Sequence, residues 1–115
     1  DFSALSNVTA VCPRERRSEA AQHLIALGLG ESLHAPVRTL SGGMKRRVAV
    51  ARAVLAPGEI LILDEPFTGL DRDTKAAVLE YLKAHTKGRT LLLVTHDPAE
   101  RDALAQHALD MTPAV

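Results

Sequence analysis

Apolar positions along the chain fall into four stretches at helical spacing and two short uninterrupted runs. Residues 18–29 carry Leu24, Ile25 and Leu27 toward one side and end in "GLG", which predicts a helix stopped by glycine. A loop through Pro36 follows. In residues 41–56, Met44, Val48, Ala51 and Leu55 recur at helical intervals until Pro57 and Gly58 end the pattern. The run at residues 60–63 is rich in branched residues and stops at two carboxylates and a proline, predicting a strand buried on both faces. Asp71 suits the cap of a helix reaching about His85, with Val78, Leu79 and Leu82 turned inward. Residues 90–95 give a second buried run. Asp97, Pro98 and Glu100 then supply a cap, a first-turn proline and a capping-box glutamate. Strand, helix, strand at this spacing predicts a right-handed parallel crossover in an α/β fold.

Two parallel strands leave two open edges and need neighbours to form a stable sheet. Strands from elsewhere are therefore expected, or a place within something larger. The 115 residues are one domain's worth at most, and no repeat or low-complexity tract divides them. Fourteen acidic and fourteen basic residues leave no net charge, which removes the broad electrostatic case for a nucleic-acid or anionic-membrane partner. Cys12 is the single cysteine, so an internal disulfide is excluded and a reducing compartment fits. Aromatics are limited to Phe2, Phe67 and Tyr81, giving no stacking platform for bases.

Ligands of parallel α/β sheets gather at the carboxyl ends of the strands, and both runs end there in polar residues. Asp64 suits a Mg²⁺ ligand, and Glu65 can polarise an attacking water; alternatively, "DEP" merely ends a strand and starts a turn. His96, at the second strand end, is either a hydrogen-bonded structural residue or a partner to the acid pair. Asp71 is fully explained by a cap, and a further role rests on "TGLD" following "DEP" closely. Ser41 opens its helix with Met44 where a capping-box side chain would stand, so the first-turn amides are expected to remain free. Gly42 and Gly43 permit close backbone approach there, which suits a phosphate. Lys45, Arg46, Arg47 and Arg52 either support that anion site or form a solvated, salt-bridged face.

With these residues in place, the chain resembles the ATP-binding cassette, the nucleotide-binding domain of ABC transporters. "LSGGMKRR" is similar to the family's signature motif, "ILILDEP" to its Walker B strand, "TGLD" to its D-loop and "VTHD" to its switch-histidine loop, in family order. "FSALSNVT" is similar to the segment that opens the family's helical subdomain. The resemblance implies a partial P-loop NTPase core of RecA-like type, with a helical signature subdomain over residues 1–56 and the C-terminal part of the ATPase core over residues 57–115. It implies that Asp64 helps hold Mg²⁺, that Glu65 is the catalytic carboxylate, and that His96 contacts the γ-phosphate of ATP. Ser41, Gly42, Gly43 and Met44 would meet the nucleotide of an opposite, head-to-tail subunit, with Asp71 on that interface. Met44 stands where glutamine is commoner, which implies tuning of that contact.

No G-x-x-x-x-G-K-[ST] loop occurs in the sequence, and no glutamine lies in a Q-loop context. The resemblance therefore implies the C-terminal portion of a cassette, beginning just after the Q-loop, which alone would bind ATP poorly and hydrolyse it negligibly. The implied parent is an ATPase on the cytoplasmic face of the cell membrane with a permease partner. The open sheet edges predict self-association. The competing classes are a cassette ATPase without a membrane partner, whose coiled-coil insertions or basic arms are not seen in this sequence, and a non-catalytic interaction module, which the presence of both Glu65 and His96 disfavours.

Overall fold

The computed structural model describes residues 2–104. Five helices and two strands follow in order: α1 (Ala4–Thr9), α2 (Ala20–Ala26), α3 (Gly42–Leu55), β1 (Ile60–Asp64), α4 (Arg72–His85), β2 (Thr90–Val94) and α5 (Pro98–Leu104). Short 3-10 segments lie at Arg14–Glu19, Gly30–Ser32 and Val37–Thr39. Helix α1 has no counterpart in the sequence prediction, because six residues are too few to show a period. Its start is nonetheless encoded: Ser3 Oγ accepts from the Ser6 amide at 3.1 Å.

Helix α3 organises the molecule. It packs on α1 and α2 on one side and on β1 on another, burying Val48, Ala51 and Leu55 together with Val50 and Val54. The predicted stripe of Met44, Val48, Ala51 and Leu55 is thus only half of its buried surface; a helix sandwiched between two layers buries a second side. Its carboxyl end is held by Arg89, whose guanidinium donates to the carbonyls of Val54 at 2.6 Å, Gly58 at 3.0 Å and Ala56 at 3.3 Å. The Val54 and Ala56 carbonyls are among those that a helix end leaves without intrahelical donors, and a cation there is also favoured by the helix dipole. One apolar cluster runs from Val8 and Leu24 in the helical layer through α3 to Leu61, Leu63, Val78 and Leu82.

Two predictions are corrected. The helix expected over residues 18–29 is shorter, because the Arg14–Glu19 turns precede it and Gly28, at φ +80°, ends it; Leu24 and Leu27 are buried, but Ile25 is exposed. The apolar runs predict strands buried on both faces. Instead, β1 buries Leu61 and Leu63 while Ile60 and Ile62 are exposed, and β2 exposes Leu92 and Val94. The strands do pair in parallel, Ile60 opposite Thr90 through Asp64 opposite Val94. Their shared register gathers Ile60, Ile62, Leu92 and Val94 on one uncovered face, with Asp64 at its carboxyl end.

The helix starts follow their caps. Asp71 Oδ1 accepts from the Thr74 amide at 2.7 Å to begin α4. Val78 and Leu82 point inward as predicted, joined by Tyr81, with Leu79 half-buried against the core. Asp97 Oδ1 accepts from the Ala99 amide at 2.9 Å to begin α5. Glu100 does not close the predicted capping box; the Asp97 amide is taken by Thr95 Oγ1 at 3.1 Å, and Glu100 turns inward.

Candidate functional site

The parallel pair brings its two carboxyl ends together. The ladder extends one residue past β1, where the Glu65 amide donates to the Val94 carbonyl at 2.8 Å. Glu65 then turns sharply, with φ at +48°, the one described residue other than glycine in the left-handed region. Such a conformation costs a carboxylate residue about 1 kcal/mol. Three hydrogen bonds from two residues hold it: Arg46 Nη1 donates to the Glu65 carbonyl at 3.2 Å, the Thr68 amide donates to the same oxygen at 3.4 Å, and Thr68 Oγ1 donates to Glu65 Oε2 at 3.4 Å.

His96 is 95% exposed, yet its Nε2 stands 3.3 Å from Glu65 Oε1. The distance is that of an ion pair, but the approach does not make a hydrogen bond. Glu65 Oε1 is left as a buried oxygen without a donor among the described residues. A buried acceptor of this kind is costly unless a ligand or water satisfies it. Asp64 lies beside this pair but on the uncovered sheet face, against a small recess of about 160 Å³ that Arg46, Val50 and Ile62 also line. The sequence-predicted trio is therefore brought to one rim, with Glu65 and His96 in contact and Asp64 around the strand end.

The Ser41 segment forms a second, separate feature. Its helix start opens into a cavity of about 470 Å³ lined by Ser41, Gly42, Gly43, Arg46, Arg47, Thr68, Gly69, Leu70, Asp71 and Thr74; Glu65 and His96 do not line it. Ser41 and Gly42 are exposed. The amides of Gly42 and Gly43 lie in the first turn, where a helix supplies no carbonyl. The expectation that all first-turn amides stay free is corrected at Met44, whose amide is taken by Ser41 Oγ at 3.1 Å and whose side chain packs against the core. Asp71 shares the cavity. Its carboxyl is held below the usual range, chiefly by the backbone hydrogen bond from Thr74, so it is a fixed anion at the cavity wall.

The cations of this segment divide. Arg47 donates to the Gly43 carbonyl at 3.2 Å and the Leu27 carbonyl at 3.0 Å, tying α3 to the end of α2. Arg46 ties α3 to the Glu65 turn, and Arg52 reaches Asn7 Oδ1 at 3.3 Å. Thus Arg46, Arg47 and Arg52 fasten the fold, while Arg46 and Arg47 also line the cavity. The anchoring role of Arg46 on the Glu65 turn was not visible in the sequence, because that contact depends on the fold bringing α3 to the turn, whereas the Thr68 contact is local, three residues along the same turn.

Two observations bear on whether a nucleotide and Mg²⁺ fit. A Cβ added at Gly42 would meet nothing within 4 Å, so the helix start has an open approach for a phosphate. Glu65 Oε1 lacks a donor where a water would supply one. For the metal, Asp64 is a single carboxylate, and no cluster of three or more ligating side chains exists among the described residues. That suits Mg²⁺, which takes few protein ligands and completes its shell with waters and phosphate.

Residues 1–68 match the sequence profile of the family described as ABC transporter. The chain is 46% identical over 84 residues to a macrolide export ATP-binding/permease protein of Hyphomonas neptunium, covering 72% of this chain and 13% of that one. It is 44% identical over 100 residues to a bicarbonate transport ATP-binding protein of Synechococcus elongatus, covering 85% of this chain and 36% of that one. In structure it is similar to a dimeric bacterial ABC transporter cassette, with a TM-score of 0.76 and 30% identity over 89% of this chain and 49% of that one. The chain thus spans half or less of the length of these relatives, and its fold is the α/β fold of ATPase cassettes, as the sequence predicted.

Proposed function

Since the chain belongs to the ABC transporter family, we propose that it supplies the signature helix and the hydrolytic rim of an ATP-binding subunit that hydrolyses ATP to drive a membrane permease. In this reading, residues 1–56 form the helical signature subdomain and residues 57–115 the C-terminal part of the ATPase core. The observation that carries it is the separation of two half-sites on one chain: Glu65 and His96 meet at the strand ends, while the Ser41 helix start opens into a different cavity. Each half-site is incomplete alone. A head-to-tail pair of subunits would complete both, each giving its Ser41 segment to the other's nucleotide.

Glu65 orients the attacking water. Its Oε1 is buried and lacks a donor, so a water bound there donates one proton to it and aims a lone pair outward. The left-handed turn, locked by Arg46 and Thr68, fixes the direction of that lone pair before substrate arrives. His96, 3.3 Å away, faces the same rim and donates to the terminal phosphoryl oxygen. Asp64 would hold Mg²⁺, which when bound offsets charge on the phosphates. In the companion subunit, Ser41 and the Gly42 and Gly43 amides donate to the same phosphoryl group from the opposite side, backed by the α3 dipole and by Arg46 and Arg47 at the cavity wall.

The loop that cradles the other phosphates lies outside these 115 residues, whose sequence lacks G-x-x-x-x-G-K-[ST]. The chain by itself therefore turns over no ATP, and the site works on the cytoplasmic face of a membrane only within the assembled ATPase. No described helix is long and apolar enough to cross that membrane. The test is Glu65→Gln in the ATP-hydrolysing protein that carries this sequence: turnover should fall at least a hundredfold while ATP binding persists. Unchanged turnover would refute the role of Glu65, and turnover by the isolated chain that Glu65→Gln abolishes would refute its dependence on the phosphate-cradling loop.

A further inference from the structure

His96 has almost no packing of its own. It is nearly fully exposed, and its only described contact is with Glu65. The imidazole is therefore positioned by the backbone turn that carries it, and that turn is closed from both sides. On one side, Thr95 Oγ1 donates to Glu100 Oε2 and accepts from the Asp97 amide at 3.1 Å, so the hydroxyl on the residue before His96 is used in both directions. On the other, Asp97 Oδ1 caps α5, which leaves Oδ2 to a different donor.

That donor is Lys75. Its Nζ lies 3.2 Å from Asp97 Oδ2 and 2.7 Å from Glu100 Oε1, with the Phe67 ring centroid 6.0 Å away. One ammonium thus holds the residue after His96 directly and the residue before it through Glu100. Glu100 is buried, so its charge needs this partner. Lys75 stands one residue beyond the first turn of α4, the helix capped by Asp71, and the same helix therefore carries a wall of the Ser41 cavity and the anchor of the histidine turn.

We propose that Lys75 is a positioning residue for His96: through Asp97 and the Glu100–Thr95 pair it fixes the turn that presents the imidazole to Glu65. The inference rests on the reading that His96 contacts the terminal phosphate. Lys75 touches no substrate and acts only through the turn, so its loss lowers the rate of the chemical step and leaves nucleotide affinity alone.

Two measurements separate this from a general loss of stability. In the chain itself, Lys75→Met should speed hydrogen exchange of the Asp97 amide roughly tenfold while the Val78 and Leu82 amides of α4 keep their protection. Lys75→Arg, which can still bridge both carboxylates, should restore it. If Lys75→Met loosens α4 as well, Glu100→Gln replaces it as the test, removing the charge that Lys75 holds while preserving shape. Unchanged Asp97 exchange would overturn the proposal. In the ATP-hydrolysing protein, Lys75→Met should lower kcat roughly tenfold with KM for ATP unchanged, and should add little to His96→Ala. Unchanged kcat in Lys75→Met, where His96→Ala is impaired, would also overturn it. Unchanged turnover in His96→Ala would instead refute the phosphate contact, and the exchange data would still decide whether Lys75 holds the turn.

Discussion

Gly42 and Gly43 are adjacent and chemically identical, yet the fold treats them differently. A Cβ at Gly43 would come within 3.1 Å of Leu70 Cδ2 and 3.5 Å of the Gly69 carbonyl, so a side chain there must push the end of Leu70 aside in the packing of α3 against the loop before α4. A Cβ at Gly42 would meet nothing, so packing gives no reason for glycine there. The proposed phosphate contact would give one, through close approach of the ligand. Gly42→Ala should leave stability unchanged or raise it by about 0.5 kcal/mol, through the smaller entropy of the unfolded chain, while nucleotide-driven pairing of subunits weakens roughly tenfold. Chemical denaturation alongside sedimentation with ATP would check both halves. A stability loss with pairing intact would show that Gly42 serves the fold instead. Glu65 is the converse case, a residue whose backbone works against it. Glu65→Gly should relieve about 1 kcal/mol of strain, visible as a higher unfolding midpoint in an inactive protein.

At the scale of elements, the layers are joined by side chains that reach backbone carbonyls. Arg89 binds three carbonyls at the end of α3, so Arg89→Met should cost about 2 kcal/mol, read by denaturant unfolding; a loss below about 0.5 kcal/mol would mean that water replaces the guanidinium without penalty. Helix α2 meets α4 through His23 Nδ1 and Tyr81 Oη, 2.6 Å apart and both buried. Burial pushes the Tyr81 phenol well above its ordinary value, so it stays neutral and shares a hydrogen bond with the His23 ring nitrogen. The imidazole is held below its ordinary value, first by burial and then by His85 and Arg16, against the opposing pull of Glu19. The unfolded chain therefore binds a proton at His23 more readily than the folded one. Stability should fall as pH drops below about 6.5, the ordinary imidazole value, and His23→Gln should flatten that slope. The carboxylates with lowered values, Glu19, Asp71 and Asp97, contribute stability that is lost only below about pH 4, outside this window. An unfolding midpoint that does not change between pH 7.5 and 5.5 would contradict the buried neutral histidine.

These elements also show what the sequence could reveal. Caps at Ser41, Asp71 and Asp97 are local chemistry, and each stands at the helix start where the sequence placed it, although the Ser41 hydroxyl takes the Met44 amide that was expected to stay free. The convergence of Glu65 and His96 was legible because parallel pairing forces two strand ends to one rim. Local patterns could not show that Glu100 turns away from its cap to meet Lys75, since that partner lies 25 positions earlier on another helix. Nor could the apolar run at residues 60–63 distinguish a strand buried on both faces from one with an uncovered face, because that depends on what packs above it.

For the whole molecule, the uncovered face is the main consequence. Ile60, Ile62, Leu92 and Val94 form an apolar surface on a two-stranded sheet with both edges free among the described residues. Soluble proteins rarely leave such surface open. The isolated chain should self-associate in sedimentation experiments, and Ile62→Lys with Leu92→Lys should return it to a monomer without loss of helix content. A monomer at every concentration would contradict this. The proposed parent ATPase raises a different question of assembly, namely whether the Ser41 cavity serves its own subunit's rim or another's. Mixing Ser41→Arg and Glu65→Gln subunits, each inactive alone, answers it directly. If the half-sites act between subunits, a mixed pair places both defects in one site and leaves the other intact, so random mixing should recover roughly a quarter of wild-type turnover. If they act within one subunit, every site keeps one defect and the mixture stays inactive, which would contradict the account.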